Sequence, residues 1–474
     1  MTIPTASAFT DDVLARHDGV AIASRVREGE VSASEVIDAS IERAKRVDPS
    51  LVAIVAECFD AARQRASGAR PGVFSGVPTV IKDMTDVAGL PTRYGSAALA
   101  NSASVQRNHP TAQQLFDMGM ICLGKSAMPE FGFTASTEFP DHPPTRNPWN
   151  LDHTPGGSSG GSAALVAAGV IPIAHGSDGG GSIRIPAACC GLVGLKPTRG
   201  RLPASQGGEP FLGIVTDGVL TRSVRDTAQF MAAAERLAPR PGFTPIGHAE
   251  RPLDRPLRIA SVSGELLDGS VDPAVKREFE STLQLLESLG HRVEPIELPS
   301  TEQFAEDFRN FWFLLAWTAA STSKGRIDSS FDRDRLSDFV KGLASQIPSR
   351  LHKLPGALIR LRRSSRRCAR LYAQCDVLVS PTVGQRPPQI GHLGMDLSMD
   401  VLMQRMRQWA CFTPIANATG APAISLPLGF DVETNLPIGI MFSANLQQER
   451  LLLELALQLE AARPFRSLGE GTRE

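Results

Sequence analysis

The chain has 474 residues, 42% of them hydrophobic, with 49 basic against 50 acidic side chains and a formal charge of −1. A large core is affordable at this length, and the balanced charge gives no overall bias toward nucleic acid, an anionic membrane or acidic ligands, so a small-molecule partner is expected. Seven cysteines without C-x-x-C spacing fit reduced thiols in a cytoplasmic protein. The first 20 residues carry acids, Arg16 and His17 in place of a basic start and an apolar core, so they do not read as a signal peptide. The apolar run from Phe311 to Ala320 is much shorter than the ~20 residues a membrane span needs.

In chain order, Ser32 and Glu35 form an S-x-x-E capping box ahead of Val36, Ile37, Ile41, Ala44 and Val47, which predicts a helix stopped by Pro49. Gly76–Ile81 (GVPTVI) reads as a buried strand with Lys82 at its end. Residues 113–125 predict a helix ending at Gly119 and then a strand. Pro239–Pro256 is a connector rich in Pro, Arg and His. After it, residues 257–263 predict a strand, Asp272-Pro273 caps a helix that Gly290 ends, and residues 293–298 predict a second strand, making a β-α-β unit. A mainly helical stretch covers 301–374, and Asp376–Ser380 and Ala423–Pro427 return to strand character. The alternation argues for an α/β sheet covered by helices. Arg360–Arg370 holds six arginines, read as a solvated helix face paired with the acids of Asp328–Asp338 rather than as an anion-binding surface.

Two segments stand out. GGSSGGSAALVAAG (Gly156–Gly169) places glycines and serines before a small-residue helix at 162–168 that Gly169 ends. GSDGGGSIRIPA (Gly176–Ala187) follows an apolar strand at Val170–Ala174 and leads through three glycines to Ser182. Glycines leave backbone N–H groups unshielded, and the N–H groups of Gly179, Gly180 and Gly181 beside a serine hydroxyl suit acyl transfer, where each oxyanion donor is worth about 100- to 1000-fold in rate. Neither segment has the G-K-[ST] of a phosphate-binding loop, and Arg184 stands where a dinucleotide fingerprint needs its third glycine. GGSSG at Gly156–Gly160 also satisfies G-x-S-x-G, which would make Ser158 the nucleophile of an α/β-hydrolase elbow, but the residues before it (NPWNLDHTP) are loop-like instead of a strand.

Lys82 in GVPTVIKD, GKSAMPEF (Gly124–Phe131), NPWN at Asn147, the two glycine-serine segments and CGLVGLKPTRGR (Cys190–Arg201) together resemble the amidase signature enzymes. The ordered match runs over about Gly76–Arg201, with echoes in SVRD at Ser223, GAPAISLP and LPIG. The resemblance implies one α/β/α domain around a mixed, twisted sheet spanning 1–474, where length alone would suggest two or three domains. Within it, 1–70 is an N-terminal helical segment, 71–238 the signature core, and 257–474 the remainder of the sheet with a helical insertion at about 301–375. The resemblance further implies Ser182 as nucleophile, Ser158 as bridging serine after a cis Gly157–Ser158 peptide, and Lys82 as base. Asp178 and Arg184 are expected to shape the loop, Ser159 to support the relay, and Gly132 to lie where substrate enters. Cys189 and Cys190 read as inert core thiols.

The chemistry is coherent in its own terms. A lysine is a base only when neutral, and burial at the end of an apolar strand disfavours its ammonium form. Carboxamide hydrolysis without a metal or organic cofactor is the expected activity, with a small amide as substrate. GVLTRSVRD and GSIRIPA look most similar to the branch of aminohexanoate cyclic-dimer and oligomer hydrolases. The competing readings are a glutaminase subunit of a tRNA-dependent amidotransferase, an esterase using Ser158, and a catalytically inactive binding protein. Neither nucleic acid binding nor membrane insertion is expected, and a homodimer is left open.

Overall fold

The structure is a computed structural model and describes residues 3–203, 211–262, 271–297 and 302–469. Its eleven named strands are β1 (Ile54–Glu57), β2 (Pro78–Lys82), β3 (Ile121–Ser126), β4 (Ile173–Asp178), β5 (Val193–Lys196), β6 (Thr216–Thr221), β7 (Arg258–Ser261), β8 (Arg292–Pro295), β9 (Val377–Pro381), β10 (Ala423–Asp431) and β11 (Leu436–Ala444). Eight form one mixed sheet in the order β4-β6-β5-β10-β11-β9-β7-β8, and the other three form a small sheet, β1-β3-β2. The pairings β7–β8 and β7–β9 are parallel, as the expected β-α-β unit requires, while β4 through β11 alternate antiparallel.

Period-two alternation sorts the strand side chains into two cores. Val377 and Val379, Ile424 and Leu426, and Ile440 and Phe442 share one core with the helices at Val224–Leu237, Pro273–Ser288 and Glu449–Ala462. Ala174 and Leu220 face the other, with the helices at Ala33–Leu51, Gly160–Ala167 and Glu302–Arg326. Helices thus cover both faces, and each fully buried Leu, Ile or Phe contributes about 1.5–3 kcal/mol. The result is the α/β/α arrangement of a single domain.

The local signals hold with shifts at the ends. Ser32 Oγ accepts from Glu35 N at 3.2 Å while Ser32 N donates to Glu35 Oε2 at 2.8 Å, the complete capping box. That helix does not stop at Pro49. It runs to Leu51, because a proline in the last turn removes a single N–H, and Asp48 carries the chain out by accepting from Ala53 N at 2.8 Å. The small-residue helix begins at Gly160, two residues before its expected start. The strand expected at Val170–Ala174 is β4, displaced to Ile173–Asp178, since pairing with β6 draws the polar His-Gly-Ser-Asp run into the sheet. The stretch after 301 is helical as expected, and its first helix, Glu302–Arg326, contains the apolar run at 311–320. The arginine row lies on the Leu354–Leu371 helix, but its partner is not the 328–338 acids: Arg360 forms a two-point pair with Asp307, at 2.7 Å for both bonds, and Arg362 donates to the Phe211 carbonyl. Ser263, Leu298 and Thr301, the outer limits of three expected elements, lie outside the described residues. All seven cysteines are free, and no helix among the described residues is long and apolar enough to cross a membrane.

Candidate active site

The site forms where the small sheet meets the edge of the large one. β2 is buried along its whole length and presents Lys82 beside β4, with Lys82 N donating to His175 Nδ1 at 3.3 Å. Three lysines are fully buried: Lys82, Lys125 and Lys196. Lys125 is neutralised by Asp83 at 3.0 Å, and Lys196 donates to Pro197 O at 2.9 Å on β5. Only Lys82 meets the serines, its Nζ lying 2.7 Å from Ser158 Oγ and 3.0 Å from Ser177 Oγ. Burial dominates its environment and pushes its pKa down to about 7, against an opposing pull from Asp217 and then Asp178.

Ser158 follows a cis peptide bond after Gly157 and precedes the helix at Gly160. No named strand runs into it, so the elbow geometry that would make it a nucleophile is missing. Ser182 lies past β4 and the three glycines, at the mouth of the cleft, 8% exposed against 3% for Ser158. Both serines border one cavity, yet no hydrogen bond between their hydroxyls is found among the described residues.

The glycine turn is held from behind. Asp178 Oδ1 accepts from Gly181 N at 2.8 Å and from Arg184 Nη2 at 2.9 Å, and Oδ2 accepts from Arg184 Nε at 2.9 Å. Burial alone would raise the Asp178 pKa, but the Arg184 guanidinium overcomes it and holds the carboxyl far below its usual range. Arg184 is itself saturated by Thr413 O and Asn417 Oδ1, and Thr413 Oγ1 donates to Gly180 O at 2.6 Å. Gly181 sits at φ +128°, where a Cβ would collide with the Thr413 side chain. Because the Gly181 N–H is committed to Asp178, the expected set of three glycine donors is corrected. The N–H groups left without a recorded partner among the described residues are those of Gly179, Gly180 and Ser182. Replacing Arg184 by Ala strands a buried carboxylate, and the denaturant midpoint should drop by the equivalent of about 3–5 kcal/mol.

Several expected residues lie where the sequence put them, and others emerge only in three dimensions. Gly132 borders the cavity against Ser158, whose Oγ would lie 3.0 Å from an added Cβ. Ser159 does not touch Lys82. Its Oγ contacts Ser177 O and N, both at 3.3 Å, so it fixes the strand that carries Ser177. Ser177 lies inside GSDGGGS but is not among the residues expected from the sequence, whereas Thr413 and Asn417 lie more than 200 residues downstream with no local signal. Cys189 and Cys190 are buried, and burial pushes both thiols up, as expected of inert core groups. Among the described residues no group of three or more His, Cys, Asp or Glu could hold a metal ion.

A mixed sheet between helical layers, with a desolvated lysine and two serines bordering one cleft at its edge, is the architecture of a hydrolytic α/β enzyme. The family model described as amidase matches residues 35–453, and the chain belongs to the amidase family. It is an amide-hydrolysing enzyme. AmiC of Mycobacterium tuberculosis, named as a candidate amidase, is 45% identical over 97% of both chains. The 6-aminohexanoate-cyclic-dimer hydrolase of Paenarthrobacter ureafaciens is 33% identical over 94% of this chain and 95% of its own. A solved structure of 6-aminohexanoate cyclic dimer hydrolase with substrate superposes with a TM-score of 0.85 at 29% identity, covering 94% of this chain and 97% of that one.

Proposed function

We propose that the protein hydrolyses carboxamides through an acyl-enzyme on Ser182, with Lys82 as base and Ser158 as the proton carrier between them. The observation that carries this reading is a lysine fully buried and 2.7 Å from Ser158 Oγ, with its pKa brought to about 7 by desolvation. Near neutrality about half of such lysines are uncharged and able to accept a proton. Lys82 takes the Ser158 proton as Ser158 takes that of Ser182, and the Ser182 Oγ–carbon bond forms. Negative charge builds on the carbonyl oxygen, where the N–H groups of Gly179, Gly180 and Ser182 stabilise it. Ser158 then returns a proton to the amide nitrogen as the carbon–nitrogen bond breaks, and the amine leaves. Water releases the carboxylate by the same relay, and Ser182 recovers its proton.

The reading fixes a pH dependence and its sign. Protonated Lys82 cannot act as base, so kcat/KM should climb about tenfold per pH unit below 7 and level off above about 8. A rate that falls across this interval contradicts the assignment. Fluorophosphonate labelling followed by peptide mass mapping should place the adduct on Ser182, and an adduct on Ser158 would restore the elbow reading.

A further inference from the structure

We infer that the substrate is an N-substituted amide lying beneath the Glu302–Arg326 helix, its amine substituent under the C-terminal half of that helix and its acyl chain under the N-terminal half. The inference rests on the Ser182–Ser158 relay and adds direction and substrate class to it.

Two chambers meet at Ser182. One, of about 390 Å³, is bordered by Ser158, Ser177 and Gly179, and the other, of about 660 Å³, by Gly157, Gly180 and Ile185. Gly132, Phe133, Ser182 and Trp312 border both. Trp312 stands where the chambers join, fixed by its Nε1 donating to Phe133 O at 3.2 Å and by its ring meeting Phe133 edge-on at 5.6 Å between centroids.

The single helix Glu302–Arg326 walls both chambers. Leu315, Ala319 and Thr322 face the smaller one, and Ala305, Phe308 and Arg309 the larger. At ~1.5 Å per residue, Ala305 and Ala319 lie ~21 Å apart along the axis, with Trp312 midway.

Proton transfer sets the direction. The departing nitrogen must receive its proton from Ser158, so the amine faces the chamber that Ser158 borders. The acyl carbon stays bonded to Ser182, and its substituent extends away from Ser158 into the larger chamber. A primary amide would leave the Ser158-side chamber without a ligand. Tyr94, Phe131 and Phe133 form an aromatic wall of that chamber that suits an aromatic amine, while Asp86, His109, Arg326 and Asp328 also border it.

Three amides test this: hexanamide, acetanilide and hexananilide. Wild type should turn over hexananilide best. Ala319→Phe, which fills the Ser158-side chamber, should cost both anilides at least about tenfold and leave hexanamide within about threefold. Ala305→Phe should cost hexanamide and hexananilide by a similar factor and spare acetanilide. The milder Ala319→Leu and Ala305→Leu repeat the comparison if a phenylalanine variant fails to fold.

The reverse pattern between the two positions overturns the direction, and wild-type preference for hexanamide overturns the substrate class. If Ser182 takes a fluorophosphonate label but wild type hydrolyses none of the three, the chamber assignment is wrong while the relay stands. If Ser182 is not labelled, the relay itself has failed.

Discussion

Ser182→Ala should reduce amide turnover by about 10⁴- to 10⁶-fold, because it removes the atom on which the proposed acyl-enzyme forms. Nothing in the packing should mask the effect: the hydroxyl lies at the cleft mouth with no recorded hydrogen bond among the described residues, so stability should stay within about 0.5 kcal/mol. Fluorophosphonate labelling should vanish with the hydroxyl. Ser158→Ala provides a comparison of a different kind. In the proposed relay it leaves the nucleophile in place but removes the proton donor for the amine, so amides should suffer more than activated esters, whose leaving groups need no proton. Substantial amide turnover by the Ser182 variant, measured after exclusion of contaminating enzyme, would overturn the assignment.

Lys82→Met should act in opposite directions on rate and stability. Removing the proposed base should lower kcat/KM by about 10³-fold or more, and the pH limb near 7 should disappear with it. Stability should rise. The side chain titrates at its ordinary 10.5 in the unfolded chain and at about 7 in the folded one. Between those values the unfolded state holds the proton and the folded state does not. Each step down in pH therefore costs the native protein stability, until the cost reaches its full size below 7. With allowance for the lost contacts to Ser158 and Ser177, Met in this place should stabilise the fold at pH 7 by about 2–4 kcal/mol. A gain in thermal midpoint accompanied by loss of activity is the expected signature. A loss of both would mean that Lys82 is chiefly a structural donor.

What the sequence discloses follows from how local each physical cause is. The capping box at Ser32, the Asp272-Pro273 start and the terminating Gly290 are settled within a few residues, and each recurs in the structure. The glycine-serine segments are equally legible, since turns of that kind admit few other residues. The boundaries of β4 are not, because hydrogen bonding to β6, about 40 residues away, decides which of its residues belong to the sheet. The same limit hides the buttress of the glycine turn. Asp178 and Arg184 stand in one motif, but Thr413 and Asn417 complete their hydrogen bonds from the far end of the chain. Composition cannot show which buried lysine meets the serines either, for Lys196 is also brought to about 7, first by burial and then by Arg184. Lys82 is distinguished by its partner serines, a relation between residues 76 and 95 positions apart.

The charge state of the Lys82 side chain is the central point, and nitrogen-15 NMR of the selectively labelled ε-amine measures it directly, with Lys82→Met supplying the resonance assignment. The amine should be neutral at pH 8.5 and titrate near pH 7. A resonance that stays in the ammonium form through pH 9 would contradict the account.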